Sequence, residues 1–442
     1  MPNYTKKDIL RLVEEEDVSF IRLQFTDVLG RMRNIAVTSD KIEDALNNEC
    51  YFDGSSIEGF SETRDMYLVP DLDTFNIFPW RPHTGRVARL ICDVYTSDNK
   101  RFACDPRYVL KRAVNEAAEL GFEFNVGAEC EFFLFKTDEN GNPTAEPHDS
   151  AGFFDLAPMD NGENCRRDIS LTLEEMGFII EASHHEAAPG QHEIDIKYDK
   201  ALSSADGIVT FKNVVKTLAK RNGLHATFMP KPLEGVSGSG MHINMSLYKD
   251  GVNMFYDENG ERKISELGYK FLAGIFKYTP DMMCITNPTV NSYKRLMPGP
   301  QAPCYPVWAD KNTSPLVRIP SVKKPDNARI ELRSPDCTSN PYLVLATCLS
   351  AGLRGIKEEL PMPENLDIDI SKLSYAERRK LISDKIPASL NQAVKQGEQS
   401  EFLKEVLGEE LKKVYIEIKE DEYARYRQTV SKWEMDNYFI AY

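Results

Sequence analysis

Four segments in the middle of the chain place carboxylates, an imidazole and guanidinium groups at the two-residue spacing of β-strands. In GAECEFFLF (127–135), alternation puts Ala128, Cys130, Phe132 and Leu134 on one face and Glu129 with Glu131 on the other. HHEAAPGQHEIDIKY (184–198) supplies Glu186 ahead of a Pro-Gly turn and Glu193 at the start of a strand whose Ile194 and Ile196 point the opposite way. GSGMHINMS (238–246) sets His242, Asn244 and Ser246 against Met241, Ile243 and Met245, and ARIELR (328–333) sets Arg329, Glu331 and Arg333 against Ile330 and Leu332. One such strand is ordinarily a half-exposed strand with solvated acids, but four in one domain call for a shared explanation. If their polar faces line one cavity, the glutamates cannot be buried there ionised and alone. Hard divalent cations, which take oxygen ligands and an occasional imidazole, neutralise such a set, and Mg²⁺ or Mn²⁺ beside a phosphate follows naturally. Spacing alone points to a metal-dependent phosphoryl-transfer or hydrolytic enzyme.

The elements that position these strands read as an α+β protein in two parts. Residues 18–37 alternate apolar and polar around Gly30, a β-hairpin pattern. A short helix is expected next, capped by Asp40 with Glu43 three positions on. The irregular loop DGSSIEGF (53–60) follows, and a Pro-punctuated stretch leads to the strand RVARLICDVY (86–95). At Asp105-Pro106 the pattern changes to an amphipathic helix with Leu110, Val114, Ala117 and Leu120 along one side. The domain boundary is set there, giving units 1–104 and 105–442. The apolar run from Tyr342 to Leu353 is too short to cross a bilayer and reads as a buried helix with Asn340 as N-cap and Pro341 in the first turn.

The 442 residues give ample length for a large core. A net charge of -15, spread along the chain, argues against nonspecific nucleic-acid binding and for small molecules and cations as partners. The opening MPNYTKKDIL shows no apolar stretch with a small-residue cleavage site, so no secretory signal is expected. Nine cysteines without a CxxC pair fit reduced thiols in a cytoplasm, and no membrane association is expected.

Taken in order, DGSSIEGF, the E-x-E strand, NCRRDI (164–169), the ASHHE to GQHEI stretch (182–194), HATFMPKP (225–232), GSGMHINMS, NPTVNSYKRL (287–296), RIP (318–320) and E-x-R followed by SNPYL (339–343) resemble the type I glutamine synthetase family. The resemblance covers essentially the whole chain. It implies a small β-grasp-like N-terminal domain, a catalytic domain on a curved antiparallel sheet flanked by helices, and a homo-oligomer of two stacked six-membered rings. In that assembly the DGSSIEGF loop completes the neighbour's active site. Residue by residue, the resemblance implies one metal on Glu131, Glu186 and Glu193 and a second on Glu129, His242 and Glu331. Arg295 and Arg333 match the groups that hold L-glutamate, where a planar fork suits a carboxylate, and Gly238 lets the backbone approach it. Arg318 and Arg329 match phosphate contacts, Arg318 among the catalytic groups, while Glu181 and Ser246 match ATP contacts. Asp53 and Ser56 match the site that binds ammonium and takes its proton. The implied reaction has two steps: the glutamate side-chain carboxylate attacks the γ-phosphate of ATP, and ammonia then displaces phosphate from γ-glutamyl phosphate to give L-glutamine.

Three positions depart from the family pattern, all on the substrate side. The flap glutamate is replaced by Gln301, which cannot attract a cation or take a proton as a carboxylate does. The family's N-R-S reads Asn312-Thr313-Ser314, without the Arg that contacts the transferring phosphoryl group, and the Asn before Gly238 is Ser237. The segment Ser61–Arg64 is shorter than the one carrying a feedback arginine, and the stretch around Tyr375 aligns poorly with the adenylylation motif, so adenylylation is not expected. These departures leave two alternatives beside glutamine formation: a γ-glutamyl ligase for an organic amine, and a weakly active regulatory paralogue.

Overall fold

A computed structural model describes residues 3–60, 65–298, 302–310, 314–362, 365, 373–374, 376–377 and 386–442. Gln301, Asn312, Thr313, Tyr375 and the segment 61–64 lie outside the described residues. The strands, in chain order, are β1 (Val18–Thr26), β2 (Met32–Thr38), β3 (Tyr51–Asp53), β4 (Asp65–Ile77) and β5 (Arg86–Thr96), followed by β6 (Glu123–Thr137), β7 (Pro143–Pro147), β8 (Ile180–His185), β9 (Gln191–Ile196), β10 (Asp199–Lys200), β11 (Leu224–Thr227), β12 (Met241–Lys249), β13 (Val252–Asn253), β14 (Tyr305–Ala309), β15 (Pro315–Arg318) and β16 (Ile330–Leu332). The first five form one sheet in the order β2-β1-β5-β4-β3, with β1 and β5 parallel. The rest form a larger sheet along β14-β15-β16-β12-β6-β9-β8, with β7, β10 and β11 on β6 and β13 on β12. An antiparallel ladder runs from β15 to β8, as expected, but β14 joins β15 in parallel, so the sheet is mixed.

The expected hairpin is β1 and β2, and its turn needs Gly30, which has φ +80°. A Cβ on Gly30 would also lie 2.7 Å from Asn340 Cα. The turn thus seats on the start of the helix Pro341–Lys357, where Asn340 Oδ1 accepts from Tyr342 N at 3.1 Å and Nδ2 donates to the carbonyls of Asp27 and Val28 at 3.3 and 3.2 Å. That helix is buried on nearly every side, as its apolar run predicts. Asp105 caps the helix Pro106–Glu119, accepting from Arg107 N at 3.0 Å. Burial of the cap, with Asp93 nearby, raises the Asp105 carboxyl to about 6.

Two local expectations fail. Asp40 does not cap a helix: it sits inside a 3-10 turn, Ser39–Lys41, and the helix Ile42–Leu46 starts without a side-chain cap. Leu120 is 41% exposed because the helix Pro106–Glu119 has already ended; Leu110 and Ala117 are buried and Val114 packs on the core as expected, with Val109 and Ala113 joining the stripe. Among the described residues no helix is long and apolar enough to cross a membrane.

Candidate active site

Register brings the acids together. On β6, Glu131 lies opposite Glu193 of β9, which lies opposite His184 of β8. Glu129 lies opposite His242 of β12 and Asp195 of β9, and Glu331 of β16 lies opposite Asn244 of β12 and Arg318 of β15. The other face of these strands, with Cys130, Phe132, Ile194, Met241, Ile243 and Ile330, is core. Like charges directly across a ladder destabilise a sheet, so this row is held by the hydrophobic face behind it.

Two groups of potential ligands result. Glu129, His242 and Glu331 offer ligand atoms within 4.8 Å of one another, as do His184, Glu186 and Glu193. Glu131 bridges the groups: Oε1 is 3.5 Å from His242 Nε2, while Oε2 accepts from Gln191 Nε2 at 2.8 Å and Gly240 N at 3.0 Å. Burial, then the charges of Glu131, Asp195 and Glu129, pushes the Glu193 carboxyl well above its ordinary range, and it shares a hydrogen bond with Glu186. At Glu129 burial acts upward too, but the hydrogen bond and charge of His242 and the amide of Asn244 outweigh it and hold the carboxyl at about 2. A set of carboxylate oxygens with two imidazoles, crowded enough to drive one carboxyl upward for want of positive charge, fits hard divalent cations.

Two cavities meet on this row. One, about 240 Å³, is lined by Glu131, Glu186, Lys231, Ser237, Gly238, Arg295 and Arg333, among others. The second, about 500 Å³, is lined by Glu129, Glu181, Asp195, Tyr198, Asn244, Tyr248 and Arg329, among others. Glu129 and Glu131, two residues apart on β6, face one cavity each. Arg295 is anchored by donating to the carbonyls of Ser334 (2.7 Å), Pro335 (3.2 Å) and Arg333 (2.9 Å). Glycine is required at 238, where a Cβ would meet Pro230 O at 2.2 Å and Arg295 Cγ at 3.3 Å. Glu331 accepts from Arg318 Nη1 at 2.9 Å and from Arg333 Nη1. Arg329 donates Nε to Asn244 Oδ1 at 2.8 Å.

Three expected site residues stand apart. Ser246 is 1% exposed, with its hydroxyl bonded to Tyr198, and the tyrosines form the cavity wall in front of it. Asp53 and Ser56 are exposed, at the end of edge strand β3 and in the turn after it, and line neither cavity; Asp53 Oδ1 accepts from Ser55 N at 2.8 Å. Conversely, sequence reasoning missed His184, Gln191 and Asp195. Gln191, Glu193 and Asp195 alternate along β9, so the same period-two reading contained the signal.

Residues 103–438 match the family model described as glutamine synthetase, catalytic domain, and residues 17–97 match that of the glutamine synthetase beta-Grasp domain. The chain belongs to the glutamine synthetase family. A glutamine synthetase of Clostridium saccharobutylicum is 54% identical over 444 residues, covering 100% of both chains, and one of Staphylococcus aureus is 53% identical over 442 residues, covering 99% of each. Among solved structures, apo GmaS has a TM-score of 0.87 at 32% identity, covering 98% of this chain and 99% of that one. The Plasmodium falciparum glutamine synthetase has a TM-score of 0.87 at 24% identity, covering 99% of each, a likeness of fold. As a glutamine synthetase, the chain is an ATP- and Mg²⁺- or Mn²⁺-dependent ligase that forms glutamine from glutamate and ammonium. Full-length similarity to glutamine synthetases favours this over the organic-amine ligase and the weakly active paralogue.

Proposed function

We propose that the two cavities are the glutamate and nucleotide halves of one glutamine-forming site, with Glu129, Glu131, Glu186, Glu193, His242 and Glu331 as the metal ligands between them. The observation that carries this reading is the meeting of the cavities on a row of buried carboxylates. Glutamate sits in the smaller cavity, its α-carboxylate on Arg295 and its charge offset by Arg333, with Gly238 leaving room for it. ATP occupies the larger cavity beside Glu181 and Arg329, with Ser246 acting through Tyr198, so that its γ-phosphate points at the acidic row.

Divalent cations, when bound, offset the charge of the phosphates and of the attacking carboxylate. The protein's own part is to hold glutamate and γ-phosphate in line across β6 and to bring Arg318 to the transferring group. The amine then attacks the acyl phosphate, and water must stay out of the cavity while it exists. Asp53 and Ser56 bind ammonium and take its proton, and we assign them to the site of a neighbouring subunit, because within one chain they line neither cavity. The assembly proposed is two stacked six-membered rings, each chain divided into units 1–104 and 105–442. We assign the enzyme to the cytoplasm, where its nine cysteines stay reduced.

ADP release with glutamate, ATP and either ammonium or a panel of alkylamines and polyamines tests the acceptor. Ammonium is expected to give the highest kcat/KM, and a strong preference for an organic amine sinks the reading. Mixing Asp53→Ala chains with Glu331→Gln chains tests the shared site: hybrids regain activity, up to about a quarter of sites at random assortment, whereas a site within one chain regains none.

A further inference from the structure

A cavity of about 620 Å³ lies where the N-terminal sheet meets the apolar face of β6 and the helix Ala201–Arg221. The register of β4 explains it. Between the pairs Asp71↔Ile91 and Asn76↔Arg89, β4 advances five residues while β5 advances two, so β4 bulges outward. Thr74 fixes the bulge: its hydroxyl accepts from Ile91 N at 2.7 Å and donates to Asp71 O at 2.6 Å. Bulges held in this way recur beside functional sites.

Arg89 enters the cavity from β5. It is 6% exposed and donates Nη1 to the Thr210 hydroxyl at 2.8 Å, while its Nε has no partner among the described residues. The carboxylate that acts on it most, Asp206, is already committed: it accepts from Arg107 at 3.0 and 2.9 Å and from the Tyr342 hydroxyl at 2.7 Å. Burial, with Arg107 as a like charge, lowers the Arg89 guanidinium to about 10, so it stays charged at neutral pH. A buried cation in the wall of an open cavity, hydrogen-bonded to a neutral hydroxyl and, among the described residues, to no carboxylate, calls for an anion.

We propose that this cavity binds a small organic carboxylate, the carboxylate on Arg89 and an apolar body against Ile91, Ala128, Ile196 and Phe211. A larger polyanion does not fit, because these walls are apolar, Arg89 is the buried cation among them, and Asp73, Asp199 and Asp206 also line the cavity. Ile196, Lys197 and Tyr198 line both this cavity and the 500 Å³ cavity. Occupancy on one side therefore bears on backbone that shapes the other. The inference goes beyond the proposed reaction, and its binding test needs neither ATP nor glutamate.

The probe is 3-phenylpropionate, titrated calorimetrically into the assembled full-length protein, with 3-phenylpropionamide as the uncharged control. The acid is expected to bind once per chain and at least about tenfold more tightly than the amide. Arg89→Met is expected to abolish that preference and Arg89→Lys to keep most of it. Absence of binding by the acid, equal affinity of acid and amide, or unchanged acid affinity in Arg89→Met each overturns the proposal. The acid-against-amide comparison on the unaltered protein decides even where a variant folds poorly. Saturating 3-phenylpropionate is also expected to shift the KM for ATP by about twofold or more in the unaltered protein and not in Arg89→Met, and a KM that stays put overturns the coupling through the shared wall.

Discussion

The acidic row on β6, β9, β12 and β16 and the charge network between the two sheets bury ionised groups in opposite ways. In the network, Arg107 donates to Asp71 (2.7 Å), Asp93 (2.7 Å) and Asp206, and Lys111 and Arg101 add to Asp93. Burial pushes Asp93 up, but Arg107 and Lys111 outweigh it and bring the carboxyl to about 2. In the row, Glu131 faces Glu193, and Glu193 is driven the other way. One region carries all its counter-charges in the chain; in the other, Arg318 and Arg333 serve Glu331 but Glu193 is left facing carboxylates, and under the proposed reading metal and substrate supply the missing positive charge.

The contrast breaks at defined places. Arg107→Met leaves buried carboxylates unpaired and is expected to cost about 3–5 kcal/mol of stability, read as a lower denaturant midpoint, with kcat per folded site little altered. Glu193→Gln does the reverse. Activity is expected to fall about 100-fold or more, on the order of 2.7 kcal/mol, while the metal-free protein melts no lower, because a buried like charge is gone; added Mg²⁺ should then raise the melting temperature less than in the unaltered protein. Lower metal-free stability in Glu193→Gln would show that the row is an internally balanced network after all. Asp93 gives the pH test. Its folded value lies below the ordinary 3.8, so its contribution is present above about pH 4 and is lost as pH falls towards 2. Asp93→Asn should flatten that loss by about 2 kcal/mol in urea unfolding. The smallest expected effect on substrate binding is at Gly238→Ala, where the added methyl group must displace the Pro230 carbonyl and press on Arg295: the KM for glutamate should rise about tenfold, roughly 1.4 kcal/mol, with the KM for ATP unchanged.

Much of this is legible in the amino-acid sequence itself. Period-two alternation separated Glu129 and Glu131 from Cys130 and Phe132, and Met241 and Ile243 from His242, because a half-buried strand leaves no other arrangement. Alternation is silent on register, so the pairing of Glu131 with Glu193, and with it the raised carboxyl, could not be read. His184 was missed for the same reason: it becomes a partner of Glu186 and Glu193 only once β8 and β9 are aligned. Asp40 and Leu120 failed at helix ends, where one turn of 3-10 helix or one residue of length changes a side chain's surroundings. The cavity at Arg89 depends on a bulge in β4 that no local pattern in residues 71–76 announces.

The seat of Gly30 against Asn340 has a consequence for how the molecule comes apart. A single amide side chain starts the buried helix Pro341–Lys357 and holds the tip of the first hairpin. Removing the first sheet would uncover the helix start and leave that amide without its carbonyl partners, so the two sheets are expected to melt in one calorimetric transition. Either half cut loose at residue 105, where the chain's pattern changes, is expected to lose stability.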